Sequence, residues 1–216
     1  MSDLAAARAD VVAAGLRMVA DGLVVGTSGN ISVRVGDRIV ITPTGVPYSE
    51  LAPDRLPVVD LGGNQLAPGL APTSELPLHL AAYRAHPEAT AVVHTHAVHA
   101  TAVSTLVDTV PNIHYGIAAA GGAIRVAPYA TYGTVELAEN ATQALKDRRA
   151  CLLANHGTIT VGPSLASAYD LTRQLEWACR VWLTASAAGT PNLLPDNEMD
   201  RVAAKLRSYG QPGGNR

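Results

Sequence analysis

The 216-residue sequence predicts an α/β fold, a mixed sheet covered by helices, in one domain over residues 1–216. Three observations carry that expectation. Apolar residues recur with helical spacing in some segments and as short β-branched or alternating runs in others. Some strand-like runs are joined by tight turns and others by helices, which implies a sheet of mixed connectivity. The chain is 48% hydrophobic with no break in composition, enough to bury one core.

The elements follow in order. Leu4–Asp21 carries Leu4, Val11, Val12, Gly15, Met18 and Val19, and reads as an amphipathic helix ending at Gly22. Ile31–Val35 and Arg38–Ile41 read as a hairpin about Gly36 and Asp37. Gly62–Pro72 is a Gly- and Pro-rich loop. Thr73 or Ser74 caps a helix reaching Arg84, with Pro77 tolerated because first-turn amides lack intrahelical acceptors. Ala91–His96 is a strand and Val98–Leu106 a helix; Ile124–Ala127 is a short strand and Thr134–Lys146 a helix. Cys151–Ala154 and Thr158–Val161 are strands flanking a turn at Asn155-His156-Gly157. Ser164–Ala188 is a long Ala-rich helix, Asp196–Arg207 a final one, and Gly210–Arg216 a frayed tail. With no Phe and abundant Ala, the core is built from Ala, Val and Leu.

Composition also excludes function classes. A formal net charge of −2 offers no basic field for nucleic acid or anionic membrane. No stretch approaches the roughly 18 uninterrupted apolar residues of a membrane span, and the N-terminus lacks the apolar run of a signal peptide. Cys151 and Cys179 lie in apolar contexts and read as buried free thiols of a cytoplasmic protein.

The strongest chemical signal is His94-Thr95-His96. On a strand, residues i and i+2 face the same way, so two imidazoles can converge on one ion at Zn–N distances of about 2.0–2.1 Å. His156, in a turn and followed by Gly157, is the natural third ligand. Three neutral imidazoles leave the charge of zinc uncompensated, which suits a catalytic Lewis acid. The same His-x-His also fits a hydrogen-bonded polar face, and spacing leaves His86, His99 and His114 open as ligands. His79 reads as helical and structural.

Three polar loops are candidate anion sites: Gly26-Thr-Ser-Gly-Asn30, Thr42-Pro-Thr-Gly45 and Thr73-Ser74. Each loop taken alone reads first as ordinary turn or cap chemistry. No Lys or Arg accompanies them, so a phosphate there is held by neutral donors. Glu75 follows in the same helix start, either as a partner of the helix dipole or as a proton-transferring group beside the metal.

These motifs resemble the class II aldolase and sugar-phosphate epimerase superfamily, and within it the L-fuculose-1-phosphate aldolases. The resemblance runs from Gly26-Thr-Ser-Gly-Asn-Ile-Ser-Val through Ile41-Thr-Pro-Thr-Gly-Val-Pro-Tyr48, Pro72-Thr-Ser-Glu75, Ala91-Val-Val-His-Thr-His-Ala-Val-His99, Ile113-His-Tyr115, Ala118-Ala-Ala-Gly-Gly122 and Ala127-Pro-Tyr-Ala-Thr-Tyr-Gly133 to Ser208-Tyr209-Gly210. It implies three layers, with a mostly antiparallel sheet between helices, and a homotetramer with active sites between subunits. It implies one zinc ion per subunit on His94, His96 and His156, with Glu75 as both resting ligand and proton carrier. Thr27, Asn30, Thr44, Gly45, Thr73 and Ser74 fall at its phosphate loops. Tyr115 matches a catalytic tyrosine reaching into the neighbouring subunit, and Tyr209 one that closes the site. Thr73 stands where the family has Ser, Tyr132 where a Phe is usual, and Leu206 where the tail has an aromatic; the last two fall on the aldehyde side.

The activity so implied is aldol cleavage of a ketose 1-phosphate such as L-fuculose 1-phosphate to dihydroxyacetone phosphate and an aldehyde such as L-lactaldehyde. The metal replaces the lysine Schiff base of class I enzymes, and Lys146 and Lys205, the sole lysines, lie outside the motifs. The competing expectations are an epimerase, a dehydratase or a 5-deoxypentulose-phosphate aldolase on the same scaffold. A non-catalytic module like the adducin head is a further alternative, but such modules lose the metal histidines that this chain keeps.

Overall fold

The computed structural model describes residues 3–206. Its strands are β1 (Asn30–Val35), β2 (Arg38–Ile41), β3 (Val58–Asp60), β4 (Ala91–Thr95), β5 (Val126–Ala127), β6 (Ala150–Leu153) and β7 (Gly157–Gly162), which form one sheet in the order β3-β2-β1-β4-β7-β6-β5. The expected hairpin is β1 (Asn30–Val35) with β2 (Arg38–Ile41), paired antiparallel with Val35 opposite Arg38. β4 (Ala91–Thr95) lies antiparallel between β1 and β7 (Gly157–Gly162), and β6 (Ala150–Leu153) pairs antiparallel with β7. One parallel pair, β5 (Val126–Ala127) on β6, makes the sheet mixed.

Alternation along the strands decides the layers. Ile31, Val40, Ala91, Val93 and Leu152 project to one face. They pack against α1 (Asp3–Ala20), α3 (Val98–Ser104) and α5 (Leu165–Ala188) through Val11, Val103 and Leu175. Ile39, Ile41, Val92, Leu153 and Ile159 project to the other face, against α2 (Leu76–Ala85) and α4 (Val135–Leu145) through Leu78, Tyr83 and Leu137. The result is the three-layer arrangement that the resemblance implied. The final helix, α6 (Asp196–Leu206), joins the first core through Met199. Fully burying a Val, Leu or Ile side chain stabilises by roughly 1.5–3 kcal/mol, and the two cores are made mainly of these and Ala.

Helix ends follow local chemistry. Ser164 and Ser167 form a capping box on α5, and the Thr134 side chain accepts from the Leu137 amide at the start of α4. The expected cap on α2 is corrected. The helix begins at Leu76, and Glu75 is its N-cap residue, with no side-chain capping bond. The Thr73 hydroxyl instead accepts from the Glu75 amide at 3.3 Å, which holds Glu75 at the entrance of the helix.

Other differences are local. β3 (Val58–Asp60) is a three-residue edge strand that the sequence does not announce, because its run is too short to show alternation and is flanked by Pro and Gly. The expected Ile124–Ala127 strand contracts to two residues, and His96 lies one residue beyond the end of β4. Tyr209 and the Gly210–Arg216 tail lie outside the described residues.

Candidate metal centre and the cavity around it

The centre forms where three pieces of backbone meet at one end of the sheet. β4 runs through its middle and places His94 opposite Asn30 of β1 and Ile159 of β7. His96 follows just past the strand end, and His156 sits in the β6–β7 turn, whose Asn155 takes a left-handed φ of 55°. The turn reaches the end of β4 only because residue 157 is glycine: a Cβ there would lie 2.1 Å from the Thr95 carbonyl oxygen. Glu75 enters from the start of α2.

The ligating atoms of Glu75, His94, His96 and His156 all lie within 4.8 Å of one another. His94 Nε2 is 3.0 Å from His96 Nε2 and 3.1 Å from Glu75 Oε2. His156 Nε2 is 3.3 Å from Glu75 Oε1. His94 Nδ1 lies 2.8 Å from the Thr158 carbonyl oxygen, which can only accept, so Nδ1–H donates and Nε2 faces inward. Lone pairs so crowded require a positive centre among them, a proton or a metal ion. Glu75 Oε1 is buried without a hydrogen bond. An ion held tetrahedrally at about 2.0–2.1 Å separates its ligand atoms by about 3.3 Å, close to the three separations of 3.0, 3.1 and 3.3 Å given above. Three imidazoles, one carboxylate and an orphaned carboxylate oxygen fit a divalent metal.

The electrostatics agree. Burial acts to raise the Glu75 carboxyl, but the charge and hydrogen bond at His94, the Asn30 amide and His156 outweigh it and hold it well below the usual carboxylate range. Burial first, then the charge at His94, pushes His96 and His156 down to about 4. Both are therefore neutral imidazoles at neutral pH, the form that ligates metal. His86, His99 and His114, open as ligands from spacing, lie elsewhere: His86 on the Leu145 carbonyl, His99 on Glu176 at 2.6 Å, and His114 against Trp177.

Above the centre opens a cavity of about 450 Å³. Every residue expected at the phosphate loops lines it: Thr27, Asn30, Thr44, Gly45, Thr73 and Ser74. Its lining holds no Lys or Arg. The loops are braced from behind. Tyr48 OH contacts the carbonyls of Ser28 and Gly29 at 3.1 and 2.8 Å, and a Cβ at Gly133 would lie 2.8 Å from the Ser74 carbonyl oxygen. Asn30 departs from expectation: its side chain is 2.9 Å from Glu75 Oε2 and 2.5 Å from His79 Nε2, committed to protein partners.

The aldehyde-side residues do not assemble in one place. Tyr132 stands on the rim of the metal cavity beside Tyr129. Tyr115 and Leu206 line a separate cavity of about 1050 Å³ with His114 and Trp177. Tyr115 is 53% exposed. Sequence reasoning gave no site role to Tyr48, Tyr129 or Asn155. Tyr48 and Tyr129 lie inside the quoted motifs and Asn155 directly precedes His156, so adjacency was the available signal.

Comparisons with known proteins agree with this geometry. The family described as "Class II Aldolase and Adducin N-terminal domain" matches residues 9–183. The chain is 46% identical over 197 residues to an L-fuculose phosphate aldolase of Escherichia coli (strain K12), covering 90% of this chain and 91% of that protein. It is 38% identical over 206 residues to a 5-deoxy-D-ribulose 1-phosphate aldolase of Bacillus thuringiensis serovar kurstaki, covering 94% and 97%. A solved L-fuculose 1-phosphate aldolase superposes with a TM-score of 0.91 at 36% identity, covering 96% of this chain and 97% of that one.

Proposed function

The chain belongs to the class II aldolase family, and from that premise we propose that it cleaves a ketose 1-phosphate, with L-fuculose 1-phosphate the leading substrate. The products are dihydroxyacetone phosphate and an aldehyde, L-lactaldehyde for that substrate. The observation that carries this reading is the buried Glu75, His94, His96 and His156 cluster beneath a cavity rimmed by neutral anion-binding loops.

Zinc, one per subunit on the three histidines with Glu75 as resting ligand, is the metal we assign. When bound, it would supply a Lewis acid that polarises the ketose carbonyl and stabilises negative charge developing on its oxygen. The residues of the chain do the rest. The loops at Thr27, Thr44–Gly45 and Thr73–Ser74 hold the phosphate with hydroxyls and amides and fix the distance from it to the carbonyl. The C4 hydroxyl proton leaves as the C3–C4 bond breaks, and Tyr115 of a neighbouring subunit is suited to exchange it at the aldehyde oxygen. Glu75, ionised at rest, first takes up the proton released from the C4 hydroxyl, relayed through Tyr115 and water, and then delivers it to C3, so that no proton is gained or lost overall. Tyr132 forms part of the aldehyde wall, and Tyr209, outside the described residues, is assigned to close the site.

Sites shared between subunits imply a homo-oligomer, which we assign as a tetramer. Residues 1–216 we read as one domain. Among the described residues no helix is long and apolar enough to cross a membrane. The free, buried Cys151 and Cys179 support a cytoplasmic location. No nucleic-acid or membrane partner is proposed.

The relative that acts on 5-deoxy-D-ribulose 1-phosphate supplies the second reading. Both are tested by one panel: L-fuculose 1-phosphate, 5-deoxyribulose 1-phosphate and other ketose 1-phosphates, with dihydroxyacetone phosphate and aldehyde measured separately before and after chelation. Release of both products, lost on chelation and restored by zinc, is expected. Isomerised substrate with no free aldehyde would replace the aldolase by an epimerase.

A further inference from the structure

Inward from Glu75, four polar side chains form one continuous buried file. Asn30 Nδ2 is 2.9 Å from Glu75 Oε2, and Asn30 Oδ1 is 2.5 Å from His79 Nε2. His79 Nδ1 is 2.7 Å from Ser32 Oγ, which is 2.9 Å from Tyr83 OH. None of Asn30, Ser32, His79 and Tyr83 is more than 3% exposed. Such groups are costly in a core unless each is paired, and here all are.

Two periodicities build the file. Glu75, His79 and Tyr83 recur every fourth residue from the start of α2, while Asn30 and Ser32 alternate on β1. Four helical residues advance about 6 Å and two strand residues about 6.8 Å, so helix and strand partners stay in step.

The file has one direction. A carboxylate can only accept, so Asn30 must present its amide N–H₂ to Glu75 and its oxygen to His79. His79 Nε2–H then donates, which leaves Nδ1 as the acceptor. Ser32 O–H donates to Nδ1, and Tyr83 O–H donates to Ser32. Every proton is fixed by the charge at one end.

We propose that Asn30, His79, Ser32 and Tyr83 are positioning residues for Glu75, and that the Asn30 side chain serves this file instead of the substrate phosphate. The file fixes Oε2 and leaves Oε1, which has no hydrogen bond, facing His156 Nε2 at 3.3 Å in the metal centre. The catalytic consequence rests on the aldolase reading; the direction of the file does not.

The experiment has two arms. In the first, ¹⁵N NMR of the zinc-loaded wild-type protein reads the His79 tautomer, expected as Nε2–H in a buried, slowly exchanging ring; an Nδ1–H tautomer overturns the proposal. In the second, Asn30→Ala, Ser32→Ala and Tyr83→Phe are compared at equal zinc content. Loss of a partner that orients a metal ligand costs about 10- to 100-fold in activity, and kcat for Asn30→Ala should fall within that range. Ser32→Ala and Tyr83→Phe, further along the file, should lose progressively less. KM and inhibition by inorganic phosphate should match wild type in all three. A raised KM and weakened phosphate inhibition at retained kcat would make Asn30 a phosphate ligand and overturn the proposal. Tyr83→Phe removes one oxygen and guards against an Asn30 variant that does not fold. A wild-type protein that cleaves no ketose phosphate would sink the aldolase reading alone, with the tautomer still deciding the file.

Discussion

The chain carries two cavities of opposite character. One, of about 450 Å³, lies over a buried cluster of three histidines and a glutamate, with hydroxyl-rich loops braced by Tyr48. The other, of about 1050 Å³, is lined by Tyr115, Ile117, Trp177 and Leu206 around His114, and its Tyr115 is more than half exposed. The first draws all four donors from one chain, set by strand register and by the docking of α2, and Glu75 Oε1 among them is buried without a hydrogen bond. The second holds the partly exposed Tyr115 but no metal-ligating cluster among the described residues. The difference separates a metal-ligating cluster built within one chain from a second cavity that holds Tyr115 and Leu206 apart from it.

The largest effect should come from dismantling the first cavity. His94→Ala or His156→Ala should lose bound metal by elemental analysis, and cleavage should fall to background. Glu75→Gln should keep much of the metal yet lose about 10²–10⁴-fold in turnover, the usual range for a positioned acid–base group. Full metal occupancy in both histidine variants would remove the assignment of the centre. Near-normal turnover of metal-replete Glu75→Gln would remove the proton-carrier role.

The second test asks whether the two cavities belong to one site across subunits. Tyr115→Phe should lose about 10²-fold in turnover, the lower end of the acid–base range, with metal content unchanged. Mixing unfolded Tyr115→Phe and Glu75→Gln chains and refolding them together should recover activity, because some sites then pair a native Glu75 with a native Tyr115. Mixtures no more active than their components would place Tyr115 outside the neighbouring site.

Acidification should weaken the first cavity in the metal-free protein. The folded state holds His96 and His156 at about 4, below the ordinary 6.5. Below pH 6.5 the unfolded chain takes up protons that the folded chain refuses, so stability falls as pH drops. The loss begins near 6.5 and is complete near 4 for these two groups. Glu75 has the same sign: its depressed pKa stabilises the fold above the ordinary 4.5, and that contribution is lost on further acidification. Urea unfolding between pH 7 and 4 measures the trend, and saturating zinc should shift the midpoint up most at the neutral end, where the imidazoles are free to ligate. A flat profile for the metal-free protein would contradict the burial of these rings.

The smallest effect separates Tyr132 from Leu206. Tyr132, on the metal cavity, should change the ratio of kcat/KM between ketose 1-phosphates on mutation to Phe, by up to about 10-fold. Leu206 lines the second cavity, so Leu206→Phe should alter these ratios only if that cavity faces a neighbour's site. Equal ratios for Tyr132→Phe and wild type would move aldehyde recognition away from this wall.

Much of the fold was legible because its helices are long and their patterns local. Leu4–Asp21 and Ser164–Ala188 emerged as α1 and α5 within a residue at each end. β3 was not legible, since three residues carry no periodicity and an edge strand is defined by its partner. The start of α2 was misplaced because Thr73 and Ser74 both look like caps, and only the bond from Thr73 to the Glu75 amide shows which residue enters the helix.

The sequence by itself offered the candidate donors. The two-residue spacing of His94 and His96 pointed to a shared face, although His96 lies just past the end of β4, and Gly157 marked a turn that can press close. The match of Glu75, His79 and Tyr83 to Asn30 and Ser32 was also present as two periodicities, but nothing local says that α2 packs over β1. Only the tertiary structure decided that pairing, which sets the Asn30 side chain against Glu75 and His79. It also decided which of the seven histidines meet and that Tyr115 and Leu206 line a different cavity from Tyr132. The physical reason is common to all three: strand register and helix docking set distances between residues far apart in the chain, and no pattern within a short window carries that information.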